Sequence, residues 1–122
     1  MIAKIKINNC FTFNKPVVLN LRADMRTKRF SCNVYSASNV NIIKSAIIYG
    51  PNNTGKTAFI SSVRAIKNTL LNENIHLRSN IFNESNICEL GISFIYNEKT
   101  YSYEFKYDDA SHEFIYEKMS EI

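Results

Sequence analysis

Apolar and charged residues alternate at the start of the chain. Over residues 2–7 every second residue is apolar, and lysines fall between them. This period of two predicts a half-exposed strand. An Asn-rich turn over 8–16 and a second apolar run over 17–21 follow, so the pattern predicts an N-terminal hairpin.

The middle of the chain changes from a strand pattern to a helix pattern. Residues 46–49 are continuously apolar and end at Gly50-Pro51, a pair that breaks regular structure. An apolar run without alternation predicts a strand buried on both faces, as in a parallel sheet. After Lys56 the apolar residues recur every three or four positions, which predicts an amphipathic helix of about four turns that ends near residues 72–74. These positions are Phe59, Val63, Ile66 and Leu70.

Alternation returns in the last third of the chain. Polar stretches at 36–41 and 73–87 predict loops, and 30–35 predicts a short strand. Three alternating runs separated by turns then predict an antiparallel meander. One of these runs places Tyr101, Tyr103, Phe105 and Tyr107 on a single face. That face is predicted to be core, since a half-buried sheet needs one apolar side.

Composition limits the classes of protein to consider. The 122 residues suit one domain, and no apolar run approaches the ~20 residues that span a bilayer. The alternating N-terminus is unlike a signal peptide, and Cys10, Cys32 and Cys88 form no C-x-x-C pair. We therefore expect a cytoplasmic protein with thiols that serve as small core residues. The net charge of +4 is compatible with an anionic ligand or nucleic acid.

One segment matches a motif with defined chemistry. It reads Gly50, Pro51, Asn52, Asn53, Thr54, Gly55, Lys56, Thr57 and fits G-x-x-x-x-G-K-[ST] at every fixed position. We refer to these eight residues as the GKT motif. Its pattern predicts a phosphate-binding loop between a strand and a helix, and so a site for a nucleoside triphosphate.

Each fixed position of the GKT motif has a physical role in such a site. Gly50 permits a sharp turn, and Gly55 lets backbone N–H groups approach phosphate without an intervening Cβ. Lys56 would place a positive charge beside the β- and γ-phosphates. The Thr57 hydroxyl would be a ligand of Mg²⁺.

The run over residues 45–57 resembles the start of ABC-type ATPase heads of the SMC/RecF-like class, and in particular bacterial AAA-15 and OLD-like ATPases of phage-defence and abortive-infection systems. The segment Asn9-Cys10-Phe11-Thr12-Phe13 is similar, shifted by one residue, to an Asn-Phe-x-x-Phe segment of that class. The resemblance implies an α/β fold: the P-loop NTPase lobe of an ABC-type ATPase, strand-rich, with an antiparallel β subdomain and one main helix after the phosphate loop. It implies that residues 1–122 form a single N-terminal ATP-binding lobe.

The resemblance also implies ATP and Mg²⁺ as ligands. The rest of the ATPase or a second copy would be the partner, and DNA a further one. The sequence has no apolar strand that ends in Asp-Glu, no glutamine and no Ser-Gly-Gly segment, which such heads use for hydrolysis. Asp108-Asp109 is the nearest acidic pair, but its strand reads as half exposed. We therefore expect the isolated chain to bind ATP without hydrolysing it.

The sequence is also compatible with two other functions. In one, the GKT motif is vestigial and the aromatic face of residues 101–107 is a protein-interaction surface. In the other, the basic segment 22–29, with Arg22, Arg26, Lys28 and Arg29, contacts DNA. A GTPase is less consistent with the sequence, because no Asn-Lys-x-Asp segment is complete.

Overall fold

The computed structural model describes residues 1–24, 26, 29–37 and 39–122, and within these residues it contains seven β-strands, one α-helix and one short 3₁₀ helix. The strands are β1 (Ile2–Asn8), β2 (Val17–Asn20), β3 (Val34–Ala37), β4 (Val40–Ile43), β5 (Ile87–Tyr96), β6 (Lys99–Asp108) and β7 (Glu113–Glu121). The α-helix is α1 (Lys56–Leu70), and the 3₁₀ helix covers Ser31–Asn33.

The strands form one large and one small antiparallel sheet. The larger sheet has five strands in the order β2-β1-β5-β6-β7, and β3 pairs with β4 in the smaller one. The predicted hairpin is observed as the β1–β2 pair, and the predicted meander as β5, β6 and β7. Every strand pair in the described part of the chain is antiparallel.

The core lies between one face of the large sheet and α1. On β6, Tyr103, Phe105 and Tyr107 are buried, and they share a cluster with Phe59 and Ile66 of the helix. The prediction that this aromatic face is core is confirmed for these three side chains, which are therefore not free to bind a partner. Tyr101, on the same face, is partly exposed and stacks on Phe94.

Helix α1 buries most of the stripe that the sequence predicts, and three small residues in addition. Phe59 and Ile66 are buried and Val63 is partly buried, whereas Leu70 at the last turn is about half exposed. Small residues at Ala58, Ser62 and Ala65 are also buried, and they allow the helix backbone to approach the sheet closely. The Ser62 hydroxyl is satisfied inside the helix, since it donates to the Ala58 carbonyl at 2.9 Å.

The predicted fold class, an α/β P-loop NTPase lobe of ABC-ATPase type, is wrong. The structure is mostly antiparallel sheet, and the one α-helix in the described residues has 15 residues. The decisive difference is at residues 46–49, which form no strand and pair with nothing in either sheet. Ile47 and Tyr49 are 87% and 90% exposed, so this apolar run is not the buried parallel strand that its composition predicts.

The small sheet attaches to the edge of the large one through a second cluster. Ile42 of β4 is fully buried with Ala3 and Ile95. Residue Leu21 connects the two sheets, since its N–H donates to Ala3 and its carbonyl accepts from Ile43. The β3–β4 hairpin that forms the small sheet was predicted only as a short strand followed by a loop. Its four-residue strands carry too few apolar positions to show a period. No helix in the described residues is long and apolar enough to cross a membrane.

The burial of Phe105 on β6 gives a first prediction. Phe105 is 1% exposed and packs edge-to-face on Phe114, so Phe105→Ala removes a buried ring from the sheet–helix core. We expect a loss of about 3–5 kcal/mol in the free energy of unfolding, measured by urea titration. The control Ile115→Ala on β7 truncates a side chain that is 55% exposed, and we expect a change within about 0.5 kcal/mol. Equal losses in the two variants would contradict this account of the core.

Candidate phosphate-binding site

The GKT motif forms an exposed segment of turns and bends that runs directly into α1. Gly55 is the residue that precedes the helix, and its backbone is left-handed, with φ 91° and ψ 6°. A residue with a Cβ is strained in this region, whereas glycine is not. Glycine is therefore needed at this position for the turn that starts the helix.

Gly55 also lies against the turn that follows β1. A Cβ built on Gly55 would lie 3.3 Å from the Thr12 hydroxyl and 3.4 Å from the ring of Phe13. The absence of a side chain lets the turn at residues 10–13 pack closely beneath the GKT motif. The start of α1 is therefore positioned by a second segment of the chain as well as by its own backbone.

The Lys56 ammonium folds back over the loop that precedes it. Its Nζ donates to the carbonyl of Gly50 at 2.7 Å and also to the carbonyl of Pro51. Thr54 Oγ1 donates to the same Pro51 carbonyl at 2.8 Å and lies 3.5 Å from Nζ. The positive charge is thus held at the mouth of the loop by neutral carbonyl groups and has no carboxylate among these partners.

The start of α1 has no side-chain cap and no acidic residue in its first turn. The first N–H groups of a helix have no partner within the helix, and the helix dipole places partial positive charge there. A polar cleft opens at this end, next to Lys56. Its lining consists of Thr12, Asn52, Asn53, Gly55, Lys56, Thr57 and Ala58. The arrangement favours an anion, and Thr57 is exposed beside it.

An apolar groove lies on the other side of Lys56. It is formed mainly by Phe13, Val17, Leu19, Tyr49 and Phe59. The ring of Phe13 is partly buried and also touches Gly55, so it forms part of both the groove and the support of the GKT motif.

Several residues singled out from the sequence lie outside this site. Asp109 accepts hydrogen bonds from the backbone N–H and the hydroxyl of Ser79, and Asp108 accepts from the N–H of Ala110. Asp108 therefore stabilises the turn between β6 and β7, and Asp109 joins that turn to the segment at Ser79. No group of three or more His, Cys, Asp or Glu side chains suited to a metal ion occurs in the part of the chain that the structure describes.

The basic segment is only partly described. Arg26 is fully exposed and forms an ion pair with Asp24 at 2.8 Å, which lowers the pKa of that carboxyl. Arg22 is exposed beside the small sheet. Lys28 lies outside the described residues, so the predicted DNA contact stays a prediction.

A buried asparagine pair that the sequence analysis missed holds the turn at residues 10–13. Asn9, with φ 51°, donates to the carbonyls of Ser85 and Ile87 at 2.7 and 2.9 Å and accepts from the Asn80 N–H at 3.1 Å. Asn80 in turn donates to the carbonyl of Phe11 at 2.8 Å. The chain is rich in asparagine, so residue type alone does not distinguish Asn9. The one sequence feature that could have indicated its role is its position directly after an alternating strand, and that signal is weak.

Comparisons with known proteins add no identification: no family model, no curated protein and no solved structure matches the chain. The resemblance to SMC/RecF-like ATPases is therefore an interpretation of the motif alone.

The backbone of Gly55 gives a second prediction. Gly55→Ala forces a Cβ into the left-handed region and against Thr12 and Phe13, so we expect a loss of about 1–2 kcal/mol or more in the free energy of unfolding. The matched control is Gly50→Ala in the same motif. Its φ lies outside the left-handed range and its new Cβ meets only the Thr54 side chain, so we expect a smaller loss. Urea unfolding of both variants measures the difference, and equal effects would argue against a strained support at Gly55.

The asparagine pair gives a third prediction. Asn9→Ala leaves two carbonyls and the Asn80 N–H without their partner in a buried position, so we expect a loss of at least about 2 kcal/mol in the free energy of unfolding. Asn14→Ala is the control, since it removes only an exposed bond to Asn83 and should cost within about 0.5 kcal/mol. A neutral effect of Asn9→Ala would show that the pair does not hold the turn.

Proposed function

We propose that the chain binds a nucleoside triphosphate, ATP with Mg²⁺, at the GKT motif. The observation that carries the proposal is the convergence of two positive features on one exposed loop. These are the Lys56 ammonium and the uncapped N-terminus of α1. Both favour a multiply charged anion, and both lie in the pattern of glycine, lysine and threonine that phosphate-binding loops use.

The hydrogen bonds of Lys56 indicate how a phosphate would enter. In the structure its ammonium is partnered by the carbonyls of Gly50 and Pro51, which are neutral acceptors. A phosphate oxygen is charged and accepts a shorter and stronger hydrogen bond from an ammonium than a carbonyl does. An incoming triphosphate would therefore draw Nζ away from the loop carbonyls towards the polar cleft, while the backbone N–H groups of the helix start hold the adjacent oxygens.

The proposal is for binding. The cleft supplies hydrogen-bond donors, one cation and the Thr57 hydroxyl, which together hold phosphates and a metal ion bound to them. Phosphate contacts do not read the base, so the choice of ATP as the nucleotide rests on the resemblance of the motif to SMC/RecF-like ATPases. A cytoplasmic setting rests on the pattern of the three cysteines. The apolar groove beside Phe13 and Tyr49 offers a place where a base could stack.

The fourth prediction tests the phosphate site directly. Titration with a fluorescent ATP analogue, with and without Mg²⁺, should show saturable binding to the wild-type chain. Lys56→Ala removes a charge-assisted hydrogen bond of about 1.5–3 kcal/mol, so its affinity should fall by roughly 10- to 100-fold. Thr57→Ala should weaken binding chiefly in the presence of Mg²⁺. Inorganic triphosphate should compete, and adenosine should not.

Lys67→Ala is the matched control, since Lys67 is exposed in the last turn of the same helix. It changes the net charge equally but lies at the far end of α1, so binding should be unchanged. Undiminished affinity in Lys56→Ala, or an equal loss in Lys67→Ala, would mean that the GKT motif is not the site.

A second candidate function, a protein-interaction module with a vestigial motif, is favoured by one observation. Residues 46–49 are an apolar segment outside any helix or strand, and the side chains of Ile47 and Tyr49 are almost fully exposed. Monomeric proteins rarely leave such side chains together in water. Absence of nucleotide binding by the wild-type chain, together with self-association that the double variant I47S/Y49S removes, would favour this second function.

A further inference from the structure

The large sheet ends at β7, and the outer edge of this strand is open. One side of β7 pairs with β6, and no described residue pairs with the other side. The strand covers nine residues without a proline, whereas the opposite edge strand, β2, has four residues and follows Pro16 directly. A long unprotected edge is a template for a further strand. Large apolar side chains of β7 are exposed as well, at Phe114, Ile115, Tyr116 and Met119.

The backbone of β7 directs hydrogen-bonding groups out of the sheet. The N–H of Ile122 donates to the carbonyl of Thr100, which lies in β6, at 2.8 Å. Successive residues of a strand direct these groups to opposite sides, so the N–H and C=O groups of Glu117, Met119 and Glu121 point to the open side. These three residues can therefore form an antiparallel ladder with an added strand.

The side chains beside the open edge combine negative charge with apolar surface. Glu117 and Met119 pair with Phe105 and Tyr103, so they lie on the face of the sheet that packs on α1. Met119 is 60% exposed. The carboxylate of Glu117 accepts from the Tyr103 hydroxyl at 2.5 Å, which is a neutral partner, and no cation of the described residues forms an ion pair with it. An added strand would thus meet an acidic and an apolar side chain two positions apart.

Charge disfavours a second copy of the chain as the added strand. If β7 paired antiparallel with itself about Glu117 or about Lys118, two like charges would lie directly opposite each other. If the pairing were centred on Met119, Glu117 would lie opposite Glu121. Like charges opposite each other on neighbouring strands are destabilising. The segment that fits the edge therefore differs from β7 and is basic where β7 is acidic.

We propose that the open edge of β7 binds an extended segment of another protein, with a basic residue opposite Glu117 and an apolar residue opposite Met119. The segment runs antiparallel to β7, and its backbone pairs with residues 117–121. The backbone ladder supplies most of the affinity, and the two side chains select the sequence. This site lies on the sheet edge and uses neither the GKT motif nor residues 46–49.

The test uses the full chain and a synthetic peptide, acetyl-Thr-Val-Thr-Val-Thr-Lys-Thr-amide. In an antiparallel arrangement its lysine faces Glu117 and its central valine faces Met119. A two-dimensional ¹H–¹⁵N titration should show saturable amide shifts centred on residues 116–122. The same peptide with glutamate in place of lysine should bind at least about threefold more weakly. A peptide that is N-methylated at the central valine should bind about tenfold more weakly or not at all, because it lacks the donor that faces Met119.

A matched pair of variants tests the backbone of β7 itself. Met119→Pro removes an N–H that points to the open side, so pairing with β6 is retained, and proline is tolerated at such edge positions. Met119→Ala loses the same side chain but keeps this N–H. The proline variant should bind the lysine peptide at least about tenfold more weakly than the alanine variant does. Glu117→Gln should weaken the lysine peptide by about two- to fivefold without weakening the glutamate peptide.

Three results would overturn the proposal. The first is equal binding of the N-methylated and unmodified peptides by the wild-type chain, a comparison that does not depend on the folding of any variant. The second is the absence of saturable shifts in β7, or shifts centred elsewhere. The third is self-association in sedimentation measurements that Met119→Pro removes and Met119→Ala does not, which would make a second copy the occupant of the edge. None of these measurements involves nucleotide, so the proposal is tested separately from the function above.

Discussion

The hydrophobic cluster between the large sheet and α1 is the interaction on which the rest of the structure depends. Tyr103, Phe105 and Tyr107 of β6, the strand next to the central strand β5, are buried in this cluster together with Phe59 and Ile66 of the helix. Burial of aromatic and branched side chains is the main source of stability in a chain of this size. This contact fixes the direction of α1, and the direction of α1 fixes where its N-terminus and the GKT motif lie.

The position of the GKT motif is then refined by polar groups. The Asn9–Asn80 pair holds the turn at residues 10–13 through buried hydrogen bonds, and that turn meets Gly55, where a Cβ would be too close. Buried amides are costly unless every group is paired, so such a network favours a single arrangement of the turn. The candidate site therefore rests on a rigid support, although the loop itself is exposed.

Some of this could be predicted from the sequence because a local period was strong. The alternation of β1 and of the aromatic strand β6, and the stripe from Phe59 to Ile66, each specify an element and its buried face. The prediction of a buried strand at residues 46–49 was wrong because an apolar run does not specify a partner strand. Composition predicts burial, but a segment becomes a buried strand only where a sheet offers an edge with which it can pair. The β3–β4 hairpin could not be predicted because its strands are too short to show a period. The role of Asn9 could not be predicted because its hydrogen-bond partners are distant in sequence. The helix that follows the GKT motif could be predicted from its period, whereas the strand expected before the motif does not form.

The most direct test of the central claim is a two-dimensional ¹H–¹⁵N spectrum of the chain recorded during a titration with Mg-ATP. The account predicts that the largest amide shifts fall at residues 50–58 and saturate, with smaller shifts at Thr12 and Phe13, and that inorganic triphosphate reproduces the shifts at the helix start. Unchanged amides in residues 50–58 at saturating nucleotide, or shifts centred elsewhere in the chain, would contradict it.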